Sequence, residues 1–279
     1  ILAKIKGLGR ENSKKVMSIV ILTVPEERRR IFANKLHKVT EGKVELVIIQ
    51  KNSKRTNSFF GQIKNFYTRG GFVGLLKEFW YALVLRFSSR MRKALNYFRE
   101  RTLPENSEKG FLAKNLEVHS HNNKETLEIL KKISPNLLVI WSNTVVKPEI
   151  INTAKQSINL HMGLCPYYRG SVANQYAMLL EPDKIGATIH HVDTGIDTGD
   201  IIETIRADLS KSPREMLCEL NERAEALYLN IAEKLSRGER LSRQKQDKSL
   251  GKNFMLKDWT PSIRFKLAKI LIEKEKGRS

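Results

Sequence analysis

The sequence predicts an α/β protein with a doubly wound, mostly parallel sheet. Runs of β-branched and other apolar residues alternate along the chain with stretches of helical spacing, which is typical of a parallel sheet covered by helices. Polar side chains suited to chemistry follow several of these runs, and the carboxyl ends of parallel strands are where such sheets bind ligands. The composition is ordinary for a globular protein, with 41% hydrophobic residues in a chain of 279.

The first part of the chain opens with a β-α-β unit. Residues 15–23 and 43–50 are β-branched apolar runs, and the stretch 25–39 between them has helical spacing with a proline near its start. After a long insertion, the pattern predicts a helix at 126–133 and a buried strand at 137–141.

The second part of the chain continues the alternation. In chain order, the predicted elements are helix 147–155, strand 157–161, helix 173–180, strands 186–192 and 201–209, and helix 212–237. Ser171 is the expected amino-terminal cap of the helix at 173–180, because a serine hydroxyl accepts a hydrogen bond from a free backbone N–H in the first turn.

Two polar side chains lie together on the strand at 157–161. Asn159 and His161 are two positions apart, so they point to the same face of the strand while Leu160 enters the core. The amide can donate a hydrogen bond to an oxyanion, and the imidazole can move a proton near neutral pH. A later loop, residues 193–200, supplies carboxylates. These groups together indicate an acyl-transfer site.

The motif residues resemble those of the folate-dependent formyltransferase family. The matching runs are INLHMGLCPYYRG at 158–170, GATIH at 186–190 and GIDTGD at 195–200. The resemblance implies a Rossmann-like sheet of the formyltransferase fold with a helical insertion, and a catalytic triad of Asn159, His161 and Asp197. In this chain Gly163 stands where many members of the family have a serine.

The resemblance also implies 10-formyltetrahydrofolate as the formyl donor. Asn159 with protonated His161 would stabilise the oxyanion that forms when an amine attacks the formyl carbon. Asp197 would orient His161 and relay the amine proton, directly or through water. By the same resemblance, the residues expected at the donor, mainly through backbone groups, are Trp141, Ser142, Asn143, Thr144, Val145, Asp193, Thr194 and Gly195.

The acceptor is expected to be a small amine that bears phosphate, and the motif at 166–174 favours a nucleotide-linked amino sugar. The residues expected to contact it are Tyr168, Arg169, Gly170, Asn174 and His190. Arg169 is either a phosphate ligand or part of a turn, and His190 either lines the site or is structural. Methionyl-tRNA and glycinamide ribonucleotide remain alternative acceptors. A different class of hypothesis is a non-catalytic RNA- or membrane-binding module that reuses the fold.

Three segments are predicted: a basic amino-terminal segment at 1–14, a catalytic domain at 15–237 and a basic tail with a helix at 238–279. The insertion at 51–115 within the catalytic domain is rich in aromatic and basic residues. It is interpreted as a helical hairpin broken at Gly70-Gly71 that packs on the core or on a second subunit in a homodimer. The alternatives are contact with a membrane surface through residues 72–98, and a nucleic-acid surface.

Charge and cysteine content constrain the setting of the protein. The net charge of +20 favours phosphate-bearing partners, RNA among them, although a solvated basic surface explains it equally well. Two cysteines do not make a disulfide framework, which agrees with a cytoplasmic location. No metal site is expected, because the adjacent His190 and His191 on a strand point to opposite faces.

Overall fold

A seven-stranded sheet is the centre of the computed structural model, which describes residues 17–51, 59–104 and 107–277. The strands are β1 Ile19–Thr23, β2 Val44–Gln50, β3 Asn115–Val118, β4 Leu137–Trp141, β5 Gln156–His161, β6 Tyr168–Arg169, β7 Gly186–His191, β8 Ile201–Arg206 and β9 Lys252–Asn253. The order across the main sheet is β3-β2-β1-β4-β5-β7-β8, in which β1 to β5 are parallel and β7 is antiparallel to both neighbours. The strand order reverses between β1 and β4, which is where open α/β sheets bind ligands.

Helices cover both faces of this sheet. They are α1 Glu27–Val39, α2 Phe59–Phe87, α3 Ser89–Asn96, α4 Lys124–Ile133, α5 Pro148–Ile151, α6 Ala173–Leu180, α7 Pro213–Ser236 and α8 Pro261–Lys276. In β1, Ile19 and Ile21 point into the core beneath α1 and α7, while Val20 and Leu22 point into the core beneath α4 and α5. Both faces of β1 are therefore buried, and the predicted doubly wound α/β fold is confirmed.

Some predicted elements differ from the structure in their details. The helix predicted at 147–155 is only the single turn α5. The short edge strand β3 lies at the end of the predicted insertion, and its four residues are too few for their apolar alternation to stand out in the sequence. The predicted cap Ser171 is wrong, because α6 begins after Val172 without a side-chain cap.

The insertion forms a helical pair, but its break is not at Gly70-Gly71. Helix α2 continues through both glycines, with Gly71 at φ +59°, and it ends at Phe87. The break is at Ser88, whose side chain accepts a hydrogen bond from the N–H of Met91 and caps α3. A serine cap ends one helix and starts the next, whereas a glycine pair in a long helix only lowers its propensity.

The carboxyl-terminal segment packs on the insertion. Phe265 of α8 lies against Tyr81 of α2 with ring centroids 4.8 Å apart, and Glu78 of α2 accepts a hydrogen bond of 2.9 Å from the N–H of Ser262. Strand β9 pairs with β6 in a second, two-stranded sheet, which brings the segment next to the end of β5.

Across the described ranges, no helix combines the length and the apolar character that crossing a membrane requires.

Candidate active site

The structure brings Asn159, His161 and Asp197 together at the carboxyl end of β5. Asn159 pairs across the sheet with His190 of β7, while His161 pairs with Thr188. The loop that follows β7 then turns back and places Asp197 beside both histidines. Two regions about 30 residues apart in the sequence, β5 and β7 with its following loop, therefore meet at one edge of the sheet.

Both ring nitrogens of His161 face hydrogen-bond acceptors. Its Nδ1 lies 3.3 Å from Oδ2 of Asp197, and its Nε2 lies 2.9 Å from the backbone oxygen of Tyr168. The contact with Tyr168 places the hydrogen of a neutral ring on Nε2, and a second proton, on Nδ1, would form an ion pair with Asp197. The side chain is 7% exposed. The ring is thus oriented by Tyr168 and lies at ion-pair distance from Asp197, at the edge of the site.

His190 supports the amide of Asn159. Its Nδ1 lies 2.7 Å from the backbone oxygen of His191, so this nitrogen carries the hydrogen. Its Nε2 donates to Oδ1 of Asp197, 3.5 Å away, when that nitrogen is protonated, and accepts from Nδ2 of Asn159, 3.3 Å away, when it is not. One hydrogen of the amide is held in this way, and the other can point to a ligand.

Asp197 remains ionised in this setting. Burial acts to raise the pKa of its carboxyl, but the positive charge of His161, the hydrogen bond and charge of His190, and the N–H of Gly170 outweigh burial and hold the pKa well below its usual range. The Gly170 N–H donates to Oδ2 at 3.0 Å. Asp197 also adopts φ +53°, a left-handed conformation that only glycine, asparagine and aspartate adopt readily.

These side chains line a cavity of about 810 Å³ at the switch point of the sheet. Seven of the eight residues predicted to contact the donor also line it, namely Trp141, Ser142, Asn143, Thr144, Val145, Asp193 and Gly195. The structure does not place Thr194 in the cavity wall, because it lies on the exposed outer side of its loop. The cavity therefore has the segment after β4 as one wall and the loop after β7 as the other.

Buried side chains hold the wall after β4 in place. Arg29 donates to the backbone oxygen of Trp141 at 2.6 Å and to Oδ1 of Asn143 at 2.8 Å. Burial lowers the pKa of His121 to about 4, so its ring is neutral, and it lies 3.1 Å from Oγ of Ser142. Gln50 donates to Oγ1 of Thr144 at 2.8 Å. The backbone groups of this wall are thus oriented before any ligand arrives.

Three of the residues predicted to contact the acceptor have structural roles instead. The buried guanidinium of Arg169 donates to the backbone oxygens of Lys248 and Gly251, each at 3.2 Å, and holds the carboxyl-terminal segment. Buried Asn174 bonds to both the N–H and the carbonyl of Gly186. The hydroxyl of Tyr168 donates to Glu181 at 2.8 Å. None of the three lines the cavity, whereas Gly170 and His190 do.

The sequence analysis missed several residues that line the cavity. Arg28 comes from the start of α1, Arg99 from the insertion, Gln175 from α6, and Met255 and Leu256 from the carboxyl-terminal segment. No local pattern marks these positions, because their place in the wall depends on how separate elements pack.

Within the part of the chain that the structure describes, no three His, Cys, Asp or Glu side chains come together as metal ligands would.

We expect Gly163→Ala to reduce the free energy of unfolding by about 1–3 kcal/mol, as overpacking does in other cores. An added Cβ would lie 2.3 Å from Nε2 of His161 and 2.6 Å from both the backbone oxygen of Tyr168 and the Cβ of Ala173. Urea denaturation measures this change. Gly110→Ala is the control, because its Cβ would meet nothing within 4 Å. Equal stability of the two variants would contradict the close packing around His161.

Comparison with known proteins identifies the family. A family model described as Formyl transferase matches residues 89–229, which is half of the chain. The chain belongs to the formyl transferase family. The family resemblance predicted from the motifs is thereby confirmed, and the matched region contains Asn159, His161 and Asp197.

One informative relative is similar to the chain in sequence, and another is similar in fold. A methionyl-tRNA formyltransferase from Sulfurihydrogenibium sp. is 31% identical over 130 residues, which are 45% of this chain and 42% of that protein. The chain thus matches less than half the length of this curated relative. A sugar N-formyltransferase from Shewanella sp. has a similar fold, with a TM-score of 0.55 and 14% identity over 90% of this chain and 88% of that one.

A second solved structure covers more of the chain. It is an N-formyltransferase from Helicobacter canadensis in complex with folinic acid and dTDP-3-aminofucose. Its TM-score is 0.52 at 16% identity, and the match covers 94% of this chain and 82% of that one. At this level of identity the likeness concerns the fold.

Proposed function

We propose that the protein transfers a formyl group from 10-formyltetrahydrofolate to the primary amine of a nucleotide-linked amino sugar. The observation that carries this proposal is the placement of Asn159, His161 and Asp197 around one cavity, in a chain of the formyl transferase family. These are the residues that formyl transfer requires, since an amide, an imidazole and a carboxylate together handle both charges that develop during the reaction.

Asn159 and His161 would act on the negative charge. As the amine attacks, charge develops on the formyl oxygen, and the free N–H of the Asn159 amide can donate to it. The positively charged ring of His161 stabilises the same oxygen through space, while its nitrogens remain bound to Asp197 and Tyr168. Donors that are already oriented cost no reorganisation during the reaction, which is why such groups are effective.

Asp197 would transfer a proton from the attacking nitrogen to the departing one. The attacking nitrogen loses one proton as its bond to the formyl carbon forms, and the departing nitrogen of the folate gains one, so the proton balance is zero. Asp197 accepts the first proton, directly or through water, and passes it to the second nitrogen. Because the pKa of Asp197 is held low, the carboxyl releases the proton and stays charged beside His161.

The cavity wall suits a folate donor. The segment from Trp141 to Val145 and the loop from Asp193 to Asp197 face each other across it and can offer backbone donors and acceptors to the edges of a pterin ring. The Helicobacter canadensis relative holds folinic acid, a formylated folate, in its complex. The side chains that orient these segments, Arg29, Gln50 and His121, would then contribute to donor binding indirectly.

Arg99 is the residue that we expect to bind the acceptor phosphate, a role that was one of two alternatives for Arg169 in the sequence. It lines the cavity and is exposed. The nearby acids Glu100 and Glu225 pair with Arg214 and Arg101 instead. Burial and then the charge of Arg99 lower the pKa of Arg264, so the two guanidinium groups interact electrostatically. Such a pair attracts a diphosphate.

Arg99→Gln should raise the KM for a nucleotide-linked acceptor by about tenfold or more and change kcat little, because a charge-assisted hydrogen bond to the bound phosphate is lost. Steady-state kinetics with varied acceptor measure this. Arg223→Gln is the matched control, since Arg223 is exposed on α7 and pairs with Glu219. A KM unchanged by Arg99→Gln would remove Arg99 from the acceptor site.

Methionyl-tRNA is the second candidate acceptor, because the curated relatives that match the chain are methionyl-tRNA formyltransferases. The net charge of +20 also suits an RNA ligand. What counts against methionyl-tRNA as the acceptor is that the match to these relatives covers about two fifths of their length.

A formyl-transfer assay decides between the acceptors. Purified protein and 10-formyltetrahydrofolate are incubated with nucleotide-linked amino sugars, glycinamide ribonucleotide or charged initiator tRNA, and products are read by mass. We expect formylation of an amino sugar. Formylation of tRNA alone would replace the proposed acceptor, and donor binding without transfer to any of these amines would refute it. A chain that does not bind the donor at all would be a non-catalytic member of the family.

A further inference from the structure

Helix α2 presents a continuous apolar surface to solvent. Seven large apolar side chains on it are between 37% and 76% exposed: Phe72, Val73, Leu76, Phe79, Trp80, Leu83 and Phe87. We call this set the outer stripe of α2. Single exposed apolar residues are common on protein surfaces, but a contiguous group of this size marks an interaction surface.

The outer stripe follows one side of the helix. At 3.6 residues per turn, its seven positions fall within an arc of about 120°, and they extend for about 22 Å along the axis. The opposite side of α2 faces the protein, where Leu85 is 3% exposed, Tyr81 packs on Phe265, and Glu78 bonds to Ser262. The stripe is thus not part of the core, although the sequence pattern suggested that these aromatics pack there or on a second subunit.

Positive charges border the outer stripe. Lys77 and Arg86 lie on its two sides, and α3 adds exposed Arg90 and Lys93 directly after it. Arg92 donates to the backbone oxygen of Leu85 and caps the end of α2. Between residues 72 and 93 the sequence contains five basic residues and one acidic residue, and that acid, Glu78, faces α8.

We propose that the outer stripe of α2 docks on the surface of an anionic lipid bilayer. Tryptophan and phenylalanine enter the boundary between headgroups and acyl chains, and bordering lysine and arginine side chains bind lipid phosphates. The helix lies on the bilayer rather than crossing it, in agreement with the hydropathy of the described helices.

Charge distinguishes this partner from a second copy of the chain. Two copies that paired through the stripe would bring their bordering lysine and arginine side chains together, and the nearby carboxylate of Glu78 is already bound to Ser262. An anionic bilayer supplies the missing counter-charge over the whole length of the stripe. It also accepts exposed aromatic rings without a complementary shape, which a protein partner would need.

Vesicle binding by the whole chain tests this proposal. Protein is sedimented with vesicles of phosphatidylglycerol and phosphatidylcholine in equal parts, and with vesicles of phosphatidylcholine alone. We expect binding to the anionic vesicles that weakens as salt is added. Phe79→Ser/Trp80→Ser should weaken binding by at least about tenfold, because two large apolar side chains no longer enter the lipid. Leu180→Ser, an exposed apolar position on α6, should bind like the unmodified protein.

A fluorescence measurement tests the proposal without relying on a variant that could fail to fold. Mixing with anionic vesicles should shift the tryptophan emission to shorter wavelength, and Trp80→Phe should remove that shift while leaving binding nearly intact. Three outcomes would overturn the proposal: no binding to anionic vesicles, equal binding by Phe79→Ser/Trp80→Ser, or self-association that this double variant abolishes in a protein that ignores vesicles. The last would assign the outer stripe to a second copy of the chain.

Discussion

Replacing His161 with Ala should lower the rate of formyl transfer by about 10²- to 10³-fold, which is the range that loss of one oxyanion-stabilising group costs in other enzymes. When it is doubly protonated, the ring places a positive charge beside the Asp197 carboxylate, whose pKa that charge lowers. Donor binding should remain largely in place, because the wall after β4 is held by Arg29, Gln50 and His121. Single-turnover rates and donor titration measure the two effects separately.

His119→Ala is the matched control for this experiment. His119 is an exposed histidine that follows β3. Its loss should leave turnover within a factor of two or so, as expected of surface substitutions. If His161→Ala retained turnover close to that of the control, the assignment of the catalytic residues would be wrong.

Asp197→Asn should also lower formyl transfer by about 10²- to 10⁴-fold. Asparagine has nearly the same shape as aspartate and tolerates the φ of +53° at this position, so the backbone of the loop should be preserved. The amide cannot accept the amine proton, and it carries no charge to hold His161 in its doubly protonated form. A fall in kcat with little change in the KM values would separate this effect from a loss of binding.

The same variant has a predictable effect on the pH dependence of stability. The pKa of Asp197 is lower in the folded protein than in the unfolded chain, where aspartate titrates near about 4. Its contribution to stability is therefore complete above about pH 4 and is lost as the pH falls through the folded value. We expect Asp197→Asn to show a shallower loss of stability below about pH 4 than the unmodified protein.

Asp200→Asn is the control for the turnover measurement. Asp200 belongs to the same loop but lies outside the cavity lining, with one carboxylate oxygen 4.0 Å from Arg243. Its replacement should leave turnover almost unchanged. An equal loss of activity in both variants would indicate that the loop as a whole, and not the Asp197 carboxylate, is required.

Local patterns in the sequence determined the sheet and the chemistry at its edge. Asn159 and His161 share a face because a strand has a period of two, and this holds whatever packs around it. The runs at 19–22 and 137–141 are apolar at every position, which is typical of strands covered on both faces. The family motif placed Asp197 near them, and the loop geometry agrees.

Only the tertiary structure decided which polar and apolar side chains are free to act. The local sequence does not distinguish the roles of Arg169 and Arg99. Packing of the carboxyl-terminal segment buries Arg169 among backbone oxygens, whereas Arg99 remains at the cavity. The aromatic residues of the insertion show the same dependence, since α8 covers one side of α2 and leaves the outer stripe exposed. A sequence pattern defines the faces of an element, but the free energy of burial is realised only where another element covers a face, and that depends on contacts between residues far apart in the chain.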